Sequence, residues 1–489
     1  MSAMDLRTRA IKSTAWYIGT RVWIQALAWG VTIALARLLT PADYGLFAMA
    51  LAVITLLELF QEFGLGVAIV QRRTLTRPQL NAIFWITSGA SLVLVTAAWL
   101  GAPLAARFYA EPRLTWMVRL LGLTFLLNAL GLVPYNLLTR QIDFRRRSLA
   151  EAAGVLASSA VAITLASLGY GVWALVLGQV VRTAVRNAGM ALLCRWVPTL
   201  AVSFDGMGDI LGFGLRIAGS GALGSLSGAV NTAIIGRFLG GHDLGLYGMA
   251  SALGESNPLH KLSTQAINQL SLPVFSKLQD QEELLRRYFL KITKYLALIA
   301  VPGQIGMALV ARDLVVLLLS ERWIGSIHLI EVLAVGGVFY VLPLPSAPVL
   351  TSRGRAQALL RFSTVLVVVL GGATLVGAQF SITGVVLAYV VAFPALRLYL
   401  LSLALKELSL SARAYAANIA APLAATGVMA AAVLAAQGPL TRVDAVLPRL
   451  ALEVALGAAV YAGSLLLVDR GLGTEMKGIV QAMVAGSRA

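Results

Sequence analysis

Long apolar runs separated by short polar stretches follow one another from residue 15 to residue 468. The runs predict fourteen spans: Ala15–Leu39, Tyr44–Val70, Leu80–Leu104, Leu114–Leu138, Leu149–Leu168, Val172–Leu193, Ile210–Leu239, Leu244–Leu270, Tyr288–Val310, Ile327–Leu350, Ala358–Val376, Ile382–Leu403, Ala412–Ala436 and Leu450–Val468. Runs of this length suit α-helices crossing about 30 Å of hydrocarbon. Outer-membrane strands would instead alternate over about 10 residues, so an all-α integral membrane protein is expected.

The pattern is also duplicated. Thr32 to Ala50, TIALARLLTPADYGLFAMA, returns 200 residues later as Thr232 to Ala250, TAIIGRFLGGHDLGLYGMA. Eight of the 19 positions are identical, among them Arg37/Arg237, Asp43/Asp243 and Gly45/Gly245. Each copy reads as an apolar helix ending near an Arg, a tight Asp-containing turn, and a second apolar helix. Further parallels keep order: ARFYAEPRL (Ala106 to Leu114) with VLLLSERWI (Val316 to Ile324), and PYNLLTR (Pro134 to Arg140) with the tail of PSAPVLTSR (Pro345 to Arg353). Spans one to six therefore correspond to seven to twelve, as two parallel six-helix halves. The expected organisation is residues 1–200, residues 201–405, and a pair of additional helices with a tail at 406–489.

Composition agrees, at 58% hydrophobic and 12% charged against about 25% charged in soluble domains. The net charge of +17 is a matter of topology and does not indicate nucleic-acid binding. Lys and Arg crowd the termini and the loops after even-numbered spans, Arg397 being counted with the loop after the twelfth, so both termini are expected in the cytoplasm. The basic start, Met1 to Lys12, does not read as a cleavable signal peptide. One cysteine, Cys194, and three scattered histidines offer no metal spacing, and no phosphate-binding glycine loop occurs, so neither metal nor cofactor is expected.

Charges inside spans are costly, about 2.5–3.5 kcal/mol each on insertion scales, and so mark sites. Arg182 and Arg186 share one helix face with Gln179, and Asn187 is adjacent. Lys261 follows His260 and Pro258, which kinks the helix, and Arg21 has Trp23 nearby. Arg216 lies low in the seventh span, which is rich in glycine and reads as a bending element. Arg37 and Arg237, with Asp43 and Asp243, mark the outer turn of each copy as gating positions. The embedded acids Glu58, Glu62, Glu151, Glu255 and Glu331 either neutralise arginines or, with Glu58, Glu62 and Glu255 as the candidates, titrate as an ion-coupling site. The net interior charge is positive on both readings. A cationic interior between apolar helices suits an anion with a sugar part and a lipid part, its pyrophosphate pairing with Arg and Lys.

These residues resemble the polysaccharide-transporter branch of the multidrug/oligosaccharidyl-lipid/polysaccharide exporter superfamily. The resemblance rests on ARLLTPADYGLFAMA (Ala36 to Ala50), EFGLGVAIVQRR (Glu62 to Arg73), RFYAEPRL (Arg107 to Leu114), IIGRFLGGHDLGLYGMA (Ile234 to Ala250) and NPLHKLSTQAINQLSLPVFSKLQ (Asn257 to Gln279). It implies two six-helix bundles that alternate in access and flip undecaprenyl-pyrophosphate-linked oligosaccharide across the bacterial inner membrane, without a cofactor. A polysaccharide polymerase and its chain-length machinery are the expected partners of a monomer. It also implies basic cavity residues at Arg186 and Lys261; Arg21, Arg182, Arg216, Trp23 and His260 come from the reading of the spans. A multidrug or cation antiporter of the same superfamily would need acids in the first span, and none lies between Asp5 and Asp43. A membrane-embedded polymerase or ligase would need a long extracytoplasmic loop with a His or Arg pair, which the sequence lacks.

Overall fold

The structure is a computed structural model that describes residues 23–61, 65–72, 75–205, 207–255, 257, 264, 267, 271–440 and 442–468. The described residues are helical with short connections, and 10 helical stretches among them are long and apolar enough to cross a membrane. The protein is a multi-pass membrane protein. It divides into two compact units, Met1–Gly245 and Leu246–Ala489.

Unit 1 contains α1 (Trp23–Leu38), α2 (Pro41–Glu58), α3 (Leu65–Gln71), α4 (Arg77–Tyr109), α5 (Leu114–Gly122), α6 (Thr124–Arg140), α7 (Phe144–Ser167) and α8 (Val172–Cys194). Most of α9 (Met207–Leu253) also belongs to it. Local chemistry sets the helix starts. Thr40 caps α2: its hydroxyl accepts from the Asp43 backbone N–H, the Asp43 carboxylate accepts from the Thr40 N–H at 2.9 Å, and Pro41 follows the cap. Thr76 and Gln79 repeat the device at α4, with Pro78 in the first turn. Helix α4 ends where Ala110 turns left-handed (φ 54°). Just beyond it Arg113 donates to Glu111 at 2.7 and 3.1 Å, which holds that carboxyl below its usual range. Helices α7 and α8 form a hairpin whose closed end, beside the connecting turn, joins α1 through Leu35, Leu39, Ala162, Ala166 and Ala174.

Unit 2 contains α10 (Glu282–Leu309), α11 (Ala311–Leu318), a 3-10 turn (Glu321–Ser326), α12 (Ile327–Val341), α13 (Ser346–Ser352), α14 (Ala356–Ala378), α15 (Ile382–Glu407), α16 (Ala412–Leu440) and α17 (Val446–Val468). Its core joins Phe275, Phe289, Val349, Leu401, Leu405, Tyr415 and Ile419. Helix α14 packs along α15 as α7 packs along α8. A left-handed residue ends each hairpin, Arg195 (φ 53°) in one copy and Ser409 (φ 49°) in the other. The α16/α17 pair docks on α10 through spaced polar staples. Asn418 donates to the Leu290 carbonyl, Tyr461 to Leu298 and Gln437 to Leu309, at 2.8–3.0 Å. Arg449 of α17 clamps the buried Asp313 of α11 with both nitrogens of its fork.

Where the residues are described, the expected spans fall on these helices with five corrections; residues 15–22 of the first span and most of the eighth beyond Glu255 lie outside the described residues. The second span breaks after Glu58 and resumes at Leu65; the fourth is divided at Leu123, and the tenth between Val341 and Ser346. Tertiary packing holds those breaks inside stretches whose apolar sequence is continuous. Span seven and the start of span eight, up to Leu253, run together as α9, interrupted at Gly240 (φ 81°, ψ −178°), the position equivalent to Thr40. Arg397 is not a loop residue: α15 continues for ten residues beyond it.

Candidate functional site: a cationic face on α8

The repeated turn brings its two copies together within unit 1. A Cβ on Gly45 would lie 1.7 Å from the Gly241 carbonyl oxygen, and one on Gly245 would lie 1.8 Å from that of Pro41. Backbone meets backbone there because neither position has a side chain. Asp43 is engaged in the α2 capping box, with the Thr40 hydroxyl donating to it at 2.7 Å. Arg37 and Arg237 are exposed near the ends of the repeated helix. Asp243 is half-buried one turn past Gly240.

Deeper in unit 1, α8 carries the charges. Small residues on α7 admit it: a Cβ on Gly154 would come within 2.9 Å of the Arg182 carbonyl and 3.0 Å of the Arg186 Cβ. Arg186 donates through Nη2 to Asn128 Oδ1 at 2.9 Å and through Nε to Asn187 Oδ1 at 3.2 Å. Asn187, 5% exposed, donates in turn to the Leu127 carbonyl at 2.8 Å and to Asn128 at 3.1 Å. Amides therefore hold the Arg186 guanidinium by neutral acceptors, which fix its plane and leave its charge uncancelled. One turn earlier Arg182 has an exposed side chain with no hydrogen bond or ion pair among the described residues. Two guanidinium groups on one face and a 23-residue helix of apolar character make a place for a polyanion.

Glu151, the acid that reaches Arg182 electrostatically, is bonded to a third arginine. Glu151 pairs with Arg147 at 3.0 Å, and that arginine lies over the Tyr135 ring at 4.3 Å. Two of the proposed coupling acids are described. Glu58 is the last residue of α2 in unit 1, whereas Glu255 lies in unit 2 and accepts from the Tyr389 hydroxyl at 2.8 Å. Trp23 is the first described residue of α1 and is 52% exposed. Arg21, His260, Lys261 and Glu62 lie outside the described residues, as does the Arg216 side chain, although residue 216 is within α9.

Sequence reading missed Asn128, because its partner Arg186 is 58 residues away in the chain. It also missed the Arg147–Glu151 pair, for which an i, i+4 spacing was the available signal.

Residues 34–328 match the polysaccharide biosynthesis protein family. The chain belongs to that family. Among its relatives is the teichuronic acid biosynthesis protein TuaB of Bacillus subtilis, 28% identical over 303 residues, 61% of this chain and 62% of that protein. The lipopolysaccharide biosynthesis protein WzxC of Escherichia coli is 25% identical over 380 residues, 77% of each chain. The fold is that of lipid II flippase MurJ in an inward-closed conformation, with a TM-score of 0.75 at 12% identity over 94% of this chain and 99% of that one. An inward-facing multidrug transporter of the multidrug/oligosaccharidyl-lipid/polysaccharide exporter superfamily follows at TM-score 0.62 and 17% identity, covering 79% and 94%. This member of the polysaccharide biosynthesis family thus folds as that superfamily's transporters do.

Proposed function

We propose that the protein is a flippase, not an enzyme. It moves undecaprenyl-pyrophosphate-linked oligosaccharide repeat units from the cytoplasmic to the periplasmic leaflet of the bacterial inner membrane, by alternating access, with both termini in the cytoplasm. The observation that carries the reading is the α8 face, where Arg186 is held by amides and Arg182 makes no ion pair among the described residues. A pyrophosphate crossing the membrane loses its hydration, and fixed guanidinium groups replace it with charge-assisted hydrogen bonds. Arg21, Arg216 and Lys261 add to that field, with Trp23 and His260 beside the sugar, while the polyprenyl tail stays in lipid. Residues 1–200 and 201–405 act as the two alternating halves, and 406–489 as an appended pair of helices. Glu58, Glu62 and Glu255 supply ion coupling, Arg37, Asp43, Arg237 and Asp243 gate the outer side, and the monomer delivers its cargo to a polysaccharide polymerase with its chain-length machinery.

The relatives named for lipopolysaccharide and teichuronic acid biosynthesis support the reading, as does the fold shared with a lipid II flippase. The test is complementation of a flippase-deletion strain, scored by surface glycan and by protein level. Arg182→Ala and Arg186→Ala are each expected to abolish export with the protein still present in the membrane. Full export by both variants would remove the assigned role.

A further inference from the structure

Helix α15 carries Tyr389, Phe393 and Arg397 at successive i, i+4 positions, and therefore along one face. Tyr389 stacks on Phe393 at 4.9 Å between ring centres, and Tyr340 of α12 stacks on Phe393 at 5.7 Å. The Arg397 guanidinium lies over Tyr340 at 4.1 Å and over Phe393 at 4.9 Å. Its Nε is buried with no acceptor, and the side chain, half-buried as a whole, makes no hydrogen bond or ion pair among the described residues. Glu255, the nearby acid, has its carboxylate engaged by the Tyr389 hydroxyl. Pro394, one turn before Arg397, supplies no N–H to the Val390 carbonyl, so the backbone here is polar as well.

An orphaned guanidinium donor within a membrane-crossing helix is costly, and packing alone does not return that cost. Ring faces fix the guanidinium plane, leaving the Nε–Nη edge as a fork that matches two oxygens of a carboxylate or phosphate. We infer that Tyr340, Phe393 and Arg397 form a second anion subsite, within unit 2, for the lipid-linked saccharide. The inference rests on the flippase reading above. It gives the substrate path a second recognition point, separate from α8, that takes an anionic oxygen of the oligosaccharide: a sugar carboxylate, or the pyrophosphate itself at another stage of transport.

The test uses the full-length protein in cells that make the glycan, with the photocrosslinker p-benzoylphenylalanine placed at position 340 or at position 179 on the α8 face. Ultraviolet light is expected to yield a lipid-linked saccharide adduct at both positions. Adding Arg397→Gln should lower the adduct at 340 about tenfold, the effect of losing one charge-assisted hydrogen bond, and leave that at 179 unchanged. Mild acid, which cuts the glycosyl pyrophosphate, tells the two anion sources apart by whether the adduct keeps the saccharide or the polyprenyl phosphate. An adduct at 179 but none at 340 overturns the subsite and leaves the flippase reading standing. No adduct at either position overturns both. An adduct at 340 indifferent to Arg397→Gln, with a lowered melting temperature, reduces Arg397 to a packing cation.

Discussion

At the scale of single residues, the difference between Arg182 and Arg186 is one of freedom. Arg186 is tied to Asn128 and Asn187, so its charge is positioned before any ligand arrives; Arg182 is untied and exposed. Arg186→Lys keeps the charge but loses the planar fork, and is expected to lower export well below wild type while Arg182→Lys retains more of it. Quantitative surface-glycan measurement at matched protein level checks the pair. The amide network has its own steric condition. A Cβ at Gly131 would lie 2.3 Å from Asn187 Oδ1, so Gly131→Ala should destabilise by about 1–3 kcal/mol through overpacking, seen as a lower melting temperature of the purified protein. The arginines were legible because i, i+4 spacing inside an apolar run survives any tertiary detail. Asn128 was not, since a neutral amide inside a membrane helix gives no hint of its partner.

At the scale of elements, the helix boundaries were legible wherever local chemistry sets them. Thr40, Pro41 and Asp43 announce the start of α2, and Thr76, Pro78 and Gln79 that of α4. Thr40→Ala removes both reciprocal bonds of the capping box and should cost about 1 kcal/mol, measurable as a shift in the same melting curve. The interruptions at Leu59 to Gln61 and at Leu123 were not legible, because continuous hydrophobic sequence tolerates helix and turn alike and the choice falls to packing. Gln61 shows the mechanism: buried after α2 ends, it donates to the Phe125 carbonyl at 2.7 Å just past the second break. Replacing Gln61 with leucine should leave that carbonyl without its side-chain donor and lower the melting temperature.

At the scale of the whole molecule, the last two apolar runs were legible as α16 and α17, but how they attach was not. Arg449 and Asp313 are 136 residues apart. Arg449→Gln strands a carboxylate that is only 5% exposed, and is expected to cost about 3 kcal/mol, with loosening of α17 detectable as faster hydrogen exchange. Asp313→Asn with Arg449→Gln should recover part of the loss. The repeated turn has a broader consequence. Position 45 of one copy rests on the residue equivalent to position 41 of the other, and the reverse holds as well. Such mutual contact is the signature of an isologous two-fold interface. Any side chain at position 45 or 245 would push the two copies of the turn apart, so each copy depends on the bareness of the other.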